Sequence, residues 1–375
     1  MENPKENIVD KIYKLRKNFV IIGLTGRTGS GCTTVAKILQ TRHPEEFKSE
    51  YREINTAPIN NDVRKNRIIY RYILKNWSPF TVVKASDIIF FYALLQSFDE
   101  FSKSLASSSN KEEGDGKFSE INTAHSNEIL QDLNKVKDKF EELSVIAKDC
   151  NHFLGTESKD YSKVDIDKFI KLILEDIPDF REELAKALEK SKKILSNELQ
   201  TWGNNIRVYD SIVGSNQDNQ SEHAPSCLAR KINQFIKLIR DYNKRDGNPT
   251  LIAIDALRNP YEVLYFRERY AAFYLMSINT TEQIRKQKLF EQGYRNDEIK
   301  RLDEREGVKK EFKSQYTGLD IDKCIELSDI HITHDGTEYT NNRKLTNQII
   351  TYISLMLHPG LVPPSPIERV MQVAY

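Results

Sequence analysis

The sequence has few of the features that place a protein in a structural class at once. Its 375 residues include 4 cysteines, and Cys32, Cys150, Cys227 and Cys324 form no C-x-x-C pair. We therefore expect reduced thiols rather than a disulfide framework, a metal knuckle or a redox couple. No apolar run reaches the roughly 18 residues of a membrane span, and the N-terminus lacks the basic-then-apolar order of a secretion signal. These absences predict a soluble, cytoplasmic chain without a membrane partner.

An excess of charge is also absent. The chain has 56 Lys and Arg against 55 Asp and Glu, which gives a formal net charge of +1. This balance argues against binding nucleic acid or membrane through a diffuse basic surface, although it leaves local basic patches open. The length and the 39% hydrophobic content allow one large domain or two ordinary ones.

What the sequence does contain is a succession of short apolar, β-branched segments separated by segments of helical periodicity. Strands are predicted at Asn18–Thr25, Thr81–Ala85, Ile206–Tyr209, Thr250–Asp255, Ala272–Ile278 and Asp329–Thr333. Strands that alternate with helices predict an α/β fold with a largely parallel sheet, whose ligand site lies at the carboxyl ends of the strands.

One long segment interrupts this alternation. Strand signals disappear between about residues 102 and 200, where leucines, isoleucines and phenylalanines recur at helical spacing, so we expect a helical insertion there. Within it, residues 104–127 are rich in Ser, Asn, Glu, Gly and Lys. This composition predicts a mobile loop.

A glycine-rich loop follows the first predicted strand. Residues 26–33 fit the phosphate-binding pattern G-x-x-x-x-G-K-[ST] at every fixed position except the lysine. Glycines let successive N–H groups point inward, and the start of the following helix adds partial positive charge, so the loop is suited to an anion. The residues predicted to hold phosphate are Gly26, Arg27, Thr28, Gly29, Ser30, Gly31, Cys32, Thr33 and Thr34. A strand-to-helix turn without a ligand is the alternative.

The residue in the lysine position is Cys32. The usual lysine bridges the β- and γ-phosphates and offsets the charge that develops during transfer. A neutral thiol cannot do this, and a thiolate would repel the nucleotide. We therefore expect the loop to bind phosphate, and to transfer it only if an arginine from elsewhere replaces the missing charge.

Two further segments are candidates for the same site. Asp255 ends a predicted strand and, with Thr33, is expected to hold a magnesium ion, although a carboxylate at this position also commonly caps a helix. Arg285 and Arg305 lie in the polar stretch 284–306, which is typical of a kinase lid that closes over phosphates or of a solvated helix. With Arg258, they are the arginines predicted to contact the nucleotide.

These motifs, together with residues 327–337, resemble the deoxynucleoside monophosphate kinase and dephospho-CoA kinase branch of P-loop proteins. The sequence is more closely similar to the N-terminal P-loop domain of bacterial anti-phage deoxycytidine nucleotide deaminases of the AvcD type. The resemblance implies a three-layer, nucleoside monophosphate kinase-like P-loop domain over residues 1–360. Residues 361–375 resemble a linker and the start of a deaminase domain.

The resemblance also implies a function. The full-length protein would deaminate dCTP or dCMP to deplete the nucleotides that a replicating phage needs, and a small RNA would inhibit it. This chain would bind a nucleoside triphosphate with Mg²⁺ and regulate the deaminase domain, whereas Zn²⁺ is expected only in that second domain. No catalytic residue is assigned here, and a homo-oligomer remains open.

Two alternatives remain at this point. The chain is an active deoxynucleoside monophosphate kinase if Arg27, Arg258 or an arginine of the 284–306 stretch supplies the charge that Cys32 lacks. It is an interaction scaffold if the glycine-rich loop is vestigial.

Overall fold

The computed structural model describes residues 18–42, 61–109, 121–155, 163–188, 192–214, 220–307, 318–334 and 338–357. Five strands form one parallel sheet in the order β2-β3-β1-β4-β5. They are β1 (Phe19–Thr25), β2 (Thr81–Lys84), β3 (Thr250–Asp255), β4 (Phe273–Asn279) and β5 (Ile330–Thr333).

Helices make up most of the rest of the described chain. Before β3 these are α1 (Cys32–Gln40), α2 (Asn61–Asn76), α3 (Ala85–Ala93), α4 (Phe98–Ser109), α5 (Ile121–Asn134), α6 (Lys137–Gly155), α7 (Lys163–Lys171), α8 (Ile177–Ala187), α9 (Lys192–Tyr209) and α10 (Cys227–Arg245). After it come α11 (Pro260–Arg269), α12 (Glu282–Glu291), α13 (Asn296–Glu306), α14 (Ile321–Glu326) and α15 (Glu338–Leu357). A single π-helical turn, Leu172–Asp176, joins α7 to α8.

The chain divides into two compact units. The first comprises Met1–Val82, Gly247–Lys309 and Leu319–Tyr375, and it contains the glycine-rich loop. The second comprises Val83–Asp246 and Lys310–Gly318, and its described secondary structure beyond the end of β2 is helical. The α/β fold with a parallel sheet is thus confirmed, and the helical part of the chain is larger than the predicted 102–200 segment.

The first unit is organised around β1, the central strand of the sheet. Val20, Ile22 and Leu24 are fully buried and pack with residues of α1 and α15 in one apolar cluster. The intervening Ile21 is buried as well, so both faces of β1 are covered. This explains why the sequence of β1 is a continuous apolar run rather than an alternating one.

Strand register brings the two predicted phosphate-site motifs together. Strands β1 and β3 pair in parallel with Leu24 opposite Asp255, so that Asp255 lies beside the end of the strand that leads into the glycine-rich loop. Parallel strands present their carboxyl ends at the same edge of the sheet. The glycine-rich loop and Asp255 therefore meet at the edge of the sheet where the sequence placed them.

The strand predicted at Ile206–Tyr209 is wrong. These residues form the last turn of α9. Leu199, Trp202 and Ile206 are buried at three- and four-residue steps, so the apolar side chains continue one face of the helix. A short apolar run does not distinguish a buried strand from the end of a helix. Here the run continues the buried face of α9, and the helix therefore extends through it.

The loop predicted at about 104–127 is in part helical. Helix α4 extends to Ser109, and α5 begins at Ile121, so both ends of that stretch differ from the prediction. Residues 110–120 lie outside the described part of the chain, and so do residues 361–375, on which the predicted linker falls.

Candidate functional site at the glycine-rich loop

The glycine-rich loop turns sharply between β1 and α1. Its turn is closed by a hydrogen bond from Ser30 N–H to the carbonyl of Arg27, at 2.9 Å. Gly31 has φ 114° and ψ 17°, a left-handed conformation that residues with a Cβ avoid. Space also requires glycine there, since a Cβ would lie 2.6 Å from Nδ1 of His334.

Helix α1 begins directly after this turn. Gly31 is its N-cap and provides no side-chain hydrogen bond, and the first turn contains no acidic residue. The first four N–H groups of a helix have no partners within the helix, and they carry the positive end of its dipole. The end of the loop thus presents the kind of helix start at which phosphate groups bind.

The hydroxyl of Thr33, in the first turn of α1, faces the carboxylate of Asp255. Thr33 Oγ1 donates to Asp255 Oδ2 at 3.3 Å. The contact joins the last position of the phosphate-binding pattern to the end of the neighbouring strand β3. The two residues that the sequence assigned to magnesium are therefore in contact.

The thiol of Cys32 is neutral at physiological pH. Burial, and then the nearby Asp255 carboxylate, raises the pKa of Cys32 to about 12. The side chain lies within sulfur hydrogen-bond distance of Ser30 Oγ, at 3.7 Å. Cys32 therefore neither repels an anion nor supplies the charge that a lysine would.

A pocket of about 820 Å³ opens over the glycine-rich loop. This volume falls in the range of roughly 300 to 1,000 Å³ that is common for small-molecule sites. Its lining includes most of the loop, Asp255, Arg258, the α12 residues Gln287 and Lys288, and His334. The pocket thus brings together four parts of the first unit that are far apart in sequence.

Glu306 binds the loop from the end of α13. Its carboxylate accepts hydrogen bonds from Thr28 N–H, at 3.1 and 3.3 Å, and from the Thr28 hydroxyl. The same carboxylate forms an ion pair with Arg258 at 3.1 Å, and Glu306 is only 2% exposed. In this conformation the Arg258 guanidinium, which lines the pocket, is held by a carboxylate.

Arg285 is buried behind the loop. It forms ion pairs with Glu282 at 3.1 Å and with Asp303 at 2.8 Å, and Nη1 donates to the carbonyl of Thr28 at 3.3 Å. Burial alone would lower the pKa of Arg285, but its bonds with the two carboxylates raise it. Arg285 therefore ties α12 and α13 to the back of the loop, and its charge is already balanced.

The remaining arginines of the loop and of the 284–306 stretch have different surroundings. Arg27 lines the pocket and forms an exposed ion pair with Asp322 at 3.0 Å. Arg295 and Arg301 are exposed on α13 or at its start, and each contacts Asp297. Arg305 belongs to α13, and its side chain lies outside the described part of the structure.

Sequence reasoning missed three residues of the site: Glu306, Lys288 and His334. Glu306 and Lys288 belong to charged helical stretches in which each ion looks like one of many on a solvated surface. His334 follows the last strand, β5, and is 3% exposed. Its position at the carboxyl end of a parallel strand was the one sequence signal that could have found it.

Two other functional features are absent from the described residues. These residues contain no group of three or more His, Cys, Asp or Glu side chains arranged to hold a metal ion. They also contain no helix with both the length and the apolar character that crossing a membrane requires.

Comparisons of the chain with models of known protein families, with curated proteins and with solved structures found no match. A function must therefore be inferred from the loop, its pocket and the chemistry of the side chains there.

Proposed function

We propose that the glycine-rich loop binds the phosphates of a nucleoside triphosphate with Mg²⁺, in a three-layer fold of the P-loop NTPase type related to nucleoside monophosphate kinases. The observation that carries the proposal is the contact of Thr33 with Asp255 at the start of a helix that no side chain caps. Mg²⁺ takes one or two protein oxygens and completes its shell with phosphates and water. A hydroxyl and a carboxylate are therefore sufficient protein ligands.

Binding in this proposal serves regulation rather than phosphoryl transfer. The neutral thiol of Cys32 stands where transfer needs a cation, and Glu306 holds Arg258. A nucleotide that binds two arrangements of the unit with different affinity shifts the equilibrium between them, and a coupling of about 1 to 3 kcal/mol is sufficient.

The resemblance in sequence suggests which activity is regulated. We propose a deaminase of dCTP or dCMP that acts against phage, with zinc held by a deaminase domain outside this chain and with a small inhibitory RNA as a partner. This part of the proposal rests on the resemblance alone.

Calorimetry with ATP and dCTP, with and without Mg²⁺, tests nucleotide binding. We expect micromolar to millimolar binding that Mg²⁺ strengthens. Thr33→Ala should weaken the Mg²⁺-dependent part of the affinity at least tenfold, because one charge-assisted contact contributes roughly 1.5 to 3 kcal/mol. Thr33→Ser retains the hydroxyl and is the matched control. If wild-type protein binds no triphosphate at millimolar concentration, the proposal fails and an interaction scaffold is favoured.

One observation favours the second candidate, an active deoxynucleoside monophosphate kinase. Cationic side chains of Arg27, Arg258 and Lys288 line the pocket although Cys32 is neutral. Incubation of the protein with ATP, Mg²⁺ and each deoxynucleoside monophosphate distinguishes the two functions. Robust formation of diphosphate contradicts the regulatory proposal, whereas turnover that arises only in Cys32→Lys supports it.

A further inference from the structure

The pocket contains an ammonium group close to the place where the glycine-rich loop lacks one. Lys288, on α12, has its Nζ 3.2 Å from Nδ1 of His334. That same nitrogen is 3.2 Å from the carbonyl oxygen of Ser30, and it is the atom that a Cβ on Gly31 would meet. One imidazole thus separates the Lys288 ammonium from the two residues that precede Cys32.

We propose that Lys288 supplies to a bound polyphosphate the positive charge that Cys32 does not, and that His334 positions it. The inference rests on the proposed nucleotide site. It assigns to this side chain a charge-assisted contact that strengthens binding of the phosphates, and it does not include the role of a loop lysine in phosphoryl transfer.

The helix that carries Lys288 is fixed against the loop. Arg285, one turn earlier, donates to the carbonyl of Thr28, and Leu289 packs beside Gly29, where a Cβ would lie 3.2 Å from its Cγ. Residues three positions apart lie on the same side of a helix. The face of α12 that packs on the loop therefore also carries the ammonium group.

His334 is held well enough to act as a positioning residue. It is 3% exposed, its N–H donates to the carbonyl of Asn279 at 2.7 Å, and its carbonyl accepts from Thr280 Oγ1 at 2.7 Å. An ammonium only donates and a carbonyl only accepts, so Nδ1 satisfies one of its two neighbours at a time. Unprotonated, Nδ1 accepts from Lys288 and keeps the ammonium beside the loop. Protonated, it donates to Ser30.

The two arginines of the pocket are already committed to carboxylates in this conformation. Arg27 pairs with Asp322, and Arg258 pairs with Glu306. Each would have to leave its carboxylate, or share it, to reach a phosphate.

Calorimetric titration of the full chain with ATP, ADP and AMP in Mg²⁺ tests the role of Lys288. We expect Lys288→Met, which keeps an apolar stem of similar length, to weaken ATP binding at least tenfold, ADP binding less and AMP binding least. Lys286→Ala is the matched control, since Lys286 lies on the same helix, is 45% exposed and pairs with Glu282 outside the pocket lining. Circular dichroism checks that each variant is folded.

Rescue separates a role in charge from a role in structure. Cys32→Lys in the Lys288→Met background should restore ATP affinity to near the wild-type value, because the new side chain places an ammonium group in the glycine-rich loop itself. His334→Asn retains a polar amide beside Lys288 and should keep the preference for ATP over AMP, whereas His334→Ala should reduce that preference without weakening AMP binding.

Three results overturn the inference, and they can be told apart. Unchanged ATP affinity in Lys288→Met removes Lys288 from the phosphate site while the nucleotide proposal stands. Equal losses for ATP and AMP place Lys288 at the base or ribose instead. Absence of ATP binding by the wild-type protein removes both the inference and the proposed function.

Discussion

At the scale of single residues, the conformation of the glycine-rich loop depends on the absence of a Cβ atom at Gly31. Gly31 and Gly247 both have positive φ, at 114° and 69°, but a Cβ at Gly247 meets nothing within 4 Å. A Cβ at Gly31 meets the ring of His334. The two positions therefore separate the effect of backbone strain from the effect of crowding.

Gly31→Ala should weaken nucleotide binding and lower stability more than Gly247→Ala does. Gly247→Ala incurs the left-handed backbone cost of about 1 to 2 kcal/mol, Gly31→Ala at φ 114° incurs at least as much, and only Gly31→Ala displaces His334. Thermal unfolding and ATP titration measure the two effects. Equal losses in the two variants would show that His334 adapts to the added methyl group.

The Cys32 thiol should react slowly with alkylating reagents. With a pKa of about 12 instead of 9.0, Cys32 is far less ionised at pH 8, and the greater nucleophilicity of its rare thiolate recovers only part of the rate. We expect alkylation by iodoacetamide to be roughly thirtyfold slower than that of a free cysteine, as measured by mass spectrometry of the Cys32 peptide.

The raised pKa of Cys32 also has a consequence for stability. The folded state favours the neutral thiol. The contribution of Cys32 to the free energy of unfolding is therefore complete below about pH 9, and it is lost as the pH rises toward 12. Denaturation midpoints of wild-type protein and Cys32→Ala between pH 7 and 10.5 should therefore converge with rising pH. Rapid alkylation at pH 8 would contradict both expectations, because it would require an ionised thiol.

At the scale of elements, α12 and α13 are joined by a charge cluster around the buried guanidinium of Arg285. Arg285 is 2% exposed and connects Glu282 of α12, Asp303 of α13 and the carbonyl of Thr28. From sequence, 284–306 was predicted as one polar helical stretch. The structure has two helices, and the arginine predicted to contact phosphates connects them.

Arg285→Met should destabilise the first unit by about 1 to 3 kcal/mol, since it removes the hydrogen bonds of a buried guanidinium and leaves the Thr28 carbonyl and the partly exposed Asp303 carboxylate without their donor. Arg285→Lys should recover little of the stability that Arg285→Met loses, because an ammonium cannot reproduce the planar fork of the guanidinium. Hydrogen exchange in α12 and α13 measures the loss locally. Lys286→Ala, which removes an exposed pair, is the control and should cost no more than about 1 kcal/mol.

At the scale of the whole molecule, the helical second unit has an apolar core of its own. Phe91 packs on Phe235, and Phe140 packs on Phe101 and Phe180, with ring centroids 4.6 to 6.5 Å apart. Such aromatic clusters contribute strongly to burial. This core lies within one nearly continuous part of the sequence, residues 83–246.

A fragment that comprises residues 83–246 should therefore fold by itself. We expect a far-ultraviolet circular dichroism spectrum rich in helix and a cooperative thermal transition. A matched fragment that carries Phe140→Ala should melt at a lower temperature, because core phenylalanine truncations cost about 3 to 5 kcal/mol. A broad, non-cooperative transition in the unsubstituted fragment would show that its core needs the rest of the chain.

The sequence by itself determined the class of fold, the glycine-rich loop and the pairing of Thr33 with Asp255. Each of these follows from local patterns: a buried parallel strand is a continuous apolar run, a left-handed turn requires glycine, and parallel strands bring their carboxyl ends to one edge. The error at Ile206–Tyr209 arose because a short apolar run fits the two-residue period of a strand and the 3.6-residue period of a helix equally well.

Only the tertiary structure decided which charges face the pocket. Arg285 and Lys288 lie one helical turn apart in a stretch of alternating charges, yet one is buried against carboxylates and the other lines the pocket beside His334. The partners of these side chains come from α13 and from the residue after β5. Periodicity predicts which residues share a helix face, but the packing of distant elements determines which of those residues meet a ligand.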